Sequence, residues 1–158
     1  LIARTDLQIA PADPDDAGVA ALVAVHMARS QAIYAAEDSH VLDTTALAEP
    51  GVTLLAARIA GDVAGIGALR DLGDGTAEIK SMHTAKVWRG RGVASALLTG
   101  LIDVARSQGK VALLLEAGAD ETARPARALY SRFGFTPCAC FGHYRPGPSS
   151  VFLRLDLS

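Results

Sequence analysis

The stretch Trp88-Arg89-Gly90-Arg91-Gly92-Val93-Ala94-Ser95-Ala96-Leu97-Leu98 sets two glycines and two arginines where a strand-like run gives way to a helical one. From Val93 onward the apolar positions Ala94, Leu97, Leu98, Leu101, Ile102 and Ala105 recur at threes and fours, which predicts an amphipathic helix that stops at Gly109. The first turn of a helix carries backbone N–H groups with no partner and the positive end of the peptide dipole. Such an end attracts phosphate when no side chain blocks the approach. Gly90 and Gly92 give that clearance and Arg89 and Arg91 add charge, so the stretch suits a diphosphate. A plain turn with two solvated arginines fits the same residues. Two other phosphate loops fail on chemistry. No Gly-Lys-Ser/Thr follows to reach a nucleotide phosphate and its magnesium, and Ala94 and Glu116 do not supply the third glycine and downstream acid of a dinucleotide fold.

Upstream, Leu7 to Ala10 reads as a short strand, and Asp13-Pro14-Asp15-Asp16 offers capping oxygens and negative charge to a helix start. That helix places Val19, Leu22, Val23, His26 and Met27 on one face, so His26 stands beside the core, where a locally bonded or partly exposed histidine is the ordinary reading. Ser30 to Pro50 has no clean period. It reads as a helix-plus-loop excursion containing Glu37-Asp38-Ser39-His40, and excursions of this kind carry specificity. Val52 to Ile59, a Gly61-Asp62 turn and Val63 to Leu69 form a hairpin, and after a turn at Asp71 to Gly75 the run Thr76 to Thr84 is a third strand. Past the central helix come a buried strand at Val111 to Leu115, a helix at Pro125 to Phe133 and a closing strand at Val151 to Leu157. No repeat or low-complexity linker interrupts this order.

The 158 residues, half of them hydrophobic, fit one domain spanning 1–158 with a sizeable core. A formal net charge of -2 disfavours nucleic acid and other polyanionic partners. No apolar run approaches a membrane span, and no basic segment leads into an apolar one at the start of the chain, so no membrane association is expected. The two cysteines, Cys138 and Cys140, have neither a disulfide framework nor the second pair of a zinc site. A reducing, cytoplasmic location and no bound metal are the expectation.

In its order of strand, phosphate loop, helix, strand and helix, the sequence resembles the GNAT superfamily of acetyl-coenzyme A dependent N-acetyltransferases. Arg89-x-x-Gly92-x-Ala94 matches the pyrophosphate motif of that family, Arg/Gln-x-x-Gly-x-Gly/Ala. Ala126-x-x-Leu129-Tyr130-x-x-Phe133-Gly134-Phe135 is similar to its second motif, and Glu78-Ile79-Lys80-Ser81-Met82, Leu115-Glu116-Ala117-Gly118 and Phe141-Gly142-x-Tyr144-x-Pro146 extend the likeness to a bacterial subgroup over almost the whole chain. Two departures stand out. Ala123 occupies a position where many members have asparagine, and Lys86 replaces a proline shortly before the phosphate loop.

The resemblance implies an α/β (α+β) fold, in which a central mixed, mostly antiparallel twisted sheet of about six to seven strands has a splayed parallel pair and is flanked by about four helices. Acetyl-coenzyme A would lie between the parted strands, its pantetheine arm along the main chain of Met82, His83 and Thr84 and its pyrophosphate in the cradle of Arg89, Gly90, Arg91, Gly92, Val93 and Ala94. Ser95 could add a hydroxyl. Transfer needs a neutral amine, a stabilised oxyanion and a proton for the leaving thiolate. By resemblance Tyr130 is the proton donor and the N–H of Met82 or His83 meets the oxyanion. The base is open between Glu78, which alternates with Lys80 on one strand face, and Glu116 on the neighbouring strand. An ordinary ion pair explains Glu78 and Lys80 almost as well. By position, the substrate-facing groups are Glu37, His40, His143 and Tyr144. Arg127 and Arg145 offer charge for a carboxylate, so an amino acid, a polyamine and a peptide N-terminus all remain open. The expected activity is acetyl transfer to a primary amine of a small molecule or peptide. A protein lysine or N-terminal acetyltransferase and a non-catalytic acyl-coenzyme A sensor are the alternatives, and a homodimer is compatible with the short closing strand.

Overall fold

The computed structural model describes residues 6–33 and 42–157. Seven strands form one sheet: β1 (Leu7–Pro11), β2 (Val52–Ile59), β3 (Asp62–Asp71), β4 (Thr76–Thr84), β5 (Ala112–Gly118), β6 (Thr136–Pro137) and β7 (Ser150–Asp156), in the spatial order β1-β2-β3-β4-β5-β7-β6. The helices are α1 (Ala17–Ile33), α2 (Thr44–Leu47), α3 (Val93–Ser107) and α4 (Arg124–Arg132). Every neighbouring pair is antiparallel except β4 and β5, because α3 carries the chain from the end of β4 back to the start of β5. This is the mixed sheet with a parallel pair that the sequence led us to expect.

Each face of the sheet has its own core. Leu97, Leu98 and Leu101 of α3 are fully buried against Leu55, Leu69, Ile79, Leu113 and Leu115, and each such leucine contributes roughly 2 kcal/mol of burial. On the opposite face Val19, Leu22 and Val23 of α1 pack with Leu47 of α2 on Leu54, Ile66 and Ala68. Close approach of α3 to β3 depends on two absent side chains. A Cβ on Gly65 would stand 2.7 Å from Val93 Cγ1, and one on Gly67 would stand 3.0 Å from Leu101 Cδ1. No helix among the described residues is long and apolar enough to cross a membrane.

Several boundaries differ from expectation. The hairpin turn is Ala60-Gly61 rather than Gly61-Asp62, since both central residues have positive φ (52° and 87°) and Asp62 already pairs with Ile59. A two-residue hairpin turn of this mirror type demands positive φ at both central positions. β5 begins one residue late and runs on through Glu116, Ala117 and Gly118, which β7 holds in register opposite Phe152, Val151 and Ser150. β6 was not anticipated; its two residues carry no alternation, and Pro137 is tolerated because the strand lies at the sheet edge. Helix α1 continues to Ile33, past the Ser30 where the excursion was expected to begin. Within that excursion α2 is capped by Asp43, whose carboxylate accepts from the Ala46 N–H at 2.8 Å. Glu37 and His40, with Asp38, lie outside the described residues.

Candidate active site

The parallel strands stay together only briefly. Thr76, Ala77 and Glu78 pair with Ala112, Leu113 and Leu114, after which β4 continues beside β3 to Thr84 and β5 continues beside β7 to Gly118. The facing edges part, and a cavity of about 580 Å³ lies where they do. Its size suits a small-molecule site.

One bulge decides what this cavity presents. Ile66 pairs with His83 and Ala68 with Lys80, so Ser81 and Met82 together oppose Gly67, and Ser81 adopts φ 57°. An extra residue in one strand reverses the alternation of everything beyond it. Glu78 and Lys80 face α1 while Ile79 joins the α3 core. Past the bulge, Met82 lies on the α3 side near Leu101, and His83 returns to the α1 side, where it meets His26. Glu78, Lys80 and His83 therefore share one wall.

At the α3 end, Gly90 and Gly92 have φ 75° and 83°, a Cβ on either would meet no heavy atom within 4 Å, and Gly92 caps α3 with no side-chain bond. Non-glycine residues rarely hold this conformation. The helix start is open, with Arg89, Gly90, Gly92, Val93, Ala94 and Ser95 on the cavity wall. Arg89 Nε donates to the Thr84 carbonyl at 3.3 Å and so stays at the end of β4. Arg91 stands off the cavity, its guanidinium 5.6 Å from the centre of the Trp88 ring. Lys86 opens a 3₁₀ turn, Lys86–Trp88, and Ala123 lies on the cavity wall.

At the other end Glu78 and Lys80 are 3% and 9% exposed, and Tyr144 reaches in from the segment between β6 and β7. The phenol donates to Glu78 Oε2 and accepts from Lys80 Nζ at 2.7 Å, while Lys80 Nζ and Glu78 Oε2 are 3.5 Å apart. Burial pulls the Lys80 ammonium below the usual lysine range against the opposing pull of Glu78. Burial and the Glu78 charge push the Tyr144 phenol up, so it stays protonated and donates to the carboxylate. Across the gap Glu116 accepts from Ser150 Oγ at 2.8 Å. Tyr130 of α4 lines the cavity with its ring edge-on to Phe135, and burial raises its pKa to about 12.

His26 and His83 face each other with Nδ1 atoms 3.0 Å apart. Burial first, then nearby positive charge, lowers each pKa to about 4: Arg29 and Lys80 act on His26, and His26, Arg89 and Arg29 on His83. Both rings are neutral at pH 7, so one Nδ1 carries the proton that the other accepts. His83 Nε2 and Ser81 Oγ are buried without a hydrogen-bond partner among the described residues.

Of the substrate-facing candidates among the described residues, only Tyr144 is placed in the cavity. His143 and Arg145 are exposed and outside it. The turn closed by Tyr144 N–H to the Phe141 carbonyl, 3.1 Å, seats both rings against Phe152 and throws Gly142-His143 outward. Arg127 is engaged elsewhere, donating at 2.7 Å to the carbonyls of both Gly118 and Asp120 and bracing the end of β5 against α4. Sequence reasoning did not single out Arg29 or Ser150, which line the cavity. Arg29 follows His26 by three residues, a spacing that puts both on one helix face and was available as a signal. The Ser81 bulge had none, since serine seldom adopts positive φ.

Residues 19–135 match the Acetyltransferase (GNAT) family. The chain is 40% identical over 139 residues to the uncharacterized N-acetyltransferase YedL of Escherichia coli, covering 88% of this chain and 87% of that protein. It is also 40% identical over 126 residues to an IAA acetyltransferase of Azospirillum brasilense, covering 79% and 81%. Among solved structures, a Klebsiella pneumoniae protein assigned as an acyl-CoA N-acyltransferase superimposes with a TM-score of 0.79 at 29% identity, covering 96% of this chain and 98% of that one.

Proposed function

Because the chain belongs to the GNAT acetyltransferase family, whose members use acetyl-coenzyme A, we propose that it moves the acetyl group to a primary amine of a small molecule by direct attack on the thioester. The observation that carries this reading is the parting of β4 from β5 over one cavity that has an uncapped glycine helix start at one end and a buried carboxylate at the other. The residues fit coenzyme A. A Cβ would fill the space over Gly90 and Gly92 that a pyrophosphate needs, and the edge of β4 from Met82 to Thr84 is left unpaired by β5 for the pantetheine amides.

Acetyl-coenzyme A supplies an acetyl group already activated as a thioester. The residues of this chain then divide the work. The main-chain N–H of Met82 or His83, re-aimed by the bulge, would meet the negative charge that develops on the carbonyl oxygen. As the amine nitrogen bonds to the carbonyl carbon, its proton passes to Glu78, directly or through water, with Glu116 as the second carboxylate within the cavity. When the carbon–sulfur bond breaks, the electron pair leaves on sulfur and Tyr130 returns a proton there. A phenol held at about 12 is fully protonated at neutral pH, which suits a donor.

Calorimetric titration with acetyl-coenzyme A, followed by a free-thiol release screen across amines, amino acids and peptides, tests this reading. Binding with amine-dependent release supports it. Binding without release under any acceptor leaves a sensor, release with peptides alone indicates a protein acetyltransferase, and no binding overturns the assignment of Arg89 to Ala94.

A further inference from the structure

Resting on the acetyltransferase reading, we propose that the acceptor is an amine that also carries a carboxylate, an α-amino acid or a small acid derived from one, with Lys80 and Arg29 receiving the carboxylate beside Glu78. The wall facing α1 decides this. Across the space between α1 and that wall stand two cations, Arg29 of α1 and Lys80 of β4, and two carboxylates, Glu78 and Glu116, together with the neutral His26–His83 pair. Each carboxylate already accepts from a hydroxyl, Tyr144 for Glu78 and Ser150 for Glu116. Lys80 has three N–H donors. Tyr144 takes one at 2.7 Å and Glu78 accepts a longer contact at 3.5 Å, so the ammonium retains capacity for an anion.

At 9% exposure the Lys80 charge is poorly screened, and a carboxylate brought beside it replaces the hydration it has lost. Arg29, exposed on α1 and lining the same cavity, offers a second cation. A polyamine would bring a second ammonium and no anion for Lys80. A lysine side chain or a protein N-terminus brings no anion to meet it. An α-amino acid sets its amine and carboxylate side by side, as Glu78 Oε2 and Lys80 Nζ stand 3.5 Å apart.

Matched pairs test the proposal: tryptophan with tryptamine, phenylalanine with phenethylamine and leucine with isoamylamine, followed by thiol release at saturating acetyl-coenzyme A. The expected result is a kcat/KM at least ten-fold higher for the carboxylated member of one or more pairs. Lys80→Met should narrow that ratio at least ten-fold, chiefly through KM, and Lys80→Arg should restore part of it. Equal or faster turnover of the decarboxylated amines overturns the proposal and leaves acetyl transfer standing. Acetyl-coenzyme A binding with no thiol release from either member of any pair overturns the proposal and counts against the transferase reading too. Should a circular-dichroism melt show that Lys80→Met does not fold, the comparison of pairs on the wild-type protein decides alone.

Discussion

On the α3 side of the sheet, Leu97, Leu98 and Leu101 meet Leu69, Ile79, Leu113 and Leu115 in an apolar layer, whereas on the α1 side the same strand, β4, buries Glu78, Lys80 and His83. Every buried polar or charged residue among the described ones, Thr76, Glu78, Lys80, Ser81 and His83, belongs to β4. Removing a charge from water costs several kcal/mol unless partners compensate. A strand can carry such residues only where its other face, and its neighbours, supply enough apolar burial to offset them. The α3 layer does this for β4, so the two faces of that one strand divide apolar burial from buried polar groups.

The sharpest way to break this division is to damage the apolar side. Leu101→Ala, at a fully buried position, should lower unfolding free energy by about 2–5 kcal/mol in urea denaturation, and a loss below about 1 kcal/mol would show that the layer is not the stabilising one. Next in size, Tyr130→Phe should reduce kcat about 100-fold, roughly 2.7 kcal/mol in barrier, with the Kd for acetyl-coenzyme A moved less than two-fold. Unchanged turnover would remove Tyr130 from the proton-donor role.

A third test reads the polar face through pH. The two imidazoles titrate near 4 in the fold against 6.5 in the unfolded chain, so between those values the unfolded chain binds protons that the fold refuses. Stability is therefore full above about pH 6.5 and declines as pH falls toward 4. His83→Gln should flatten that slope in urea midpoints taken from pH 7 to pH 4. An unchanged slope would assign it to the carboxylates instead. The smallest effect lies on neither face: Ala60→Asn, at the φ 52° turn position, should raise stability by about 0.5 kcal/mol, because asparagine tolerates the left-handed region better than alanine.

Much of this architecture was readable from residue order. The three-four spacing from Val93 to Ala105 specified α3 and its buried side, and the glycines at 90 and 92 marked the helix start that the fold leaves open. Alternation along Thr76 to Thr84 placed Glu78 and Lys80 on one face. The same alternation extended to His83 would have put it on the opposite face, and the bulge at Ser81 reverses that. No residue type announces the reversal.

Local pattern, then, determined most of the elements and the open glycine loop before α3, because periodicity and glycine conformation act within a few residues. Tertiary structure alone decided that Tyr144 enters the cavity while its neighbour His143 faces water, that Arg127 is spent on the carbonyls of Gly118 and Asp120, and that His26 meets His83 across the space between α1 and β4. Those contacts join residues far apart in the chain, up to 66 positions for Tyr144 and Glu78, and their direction is set by a bulge and a parted strand pair that exist only once the sheet has assembled.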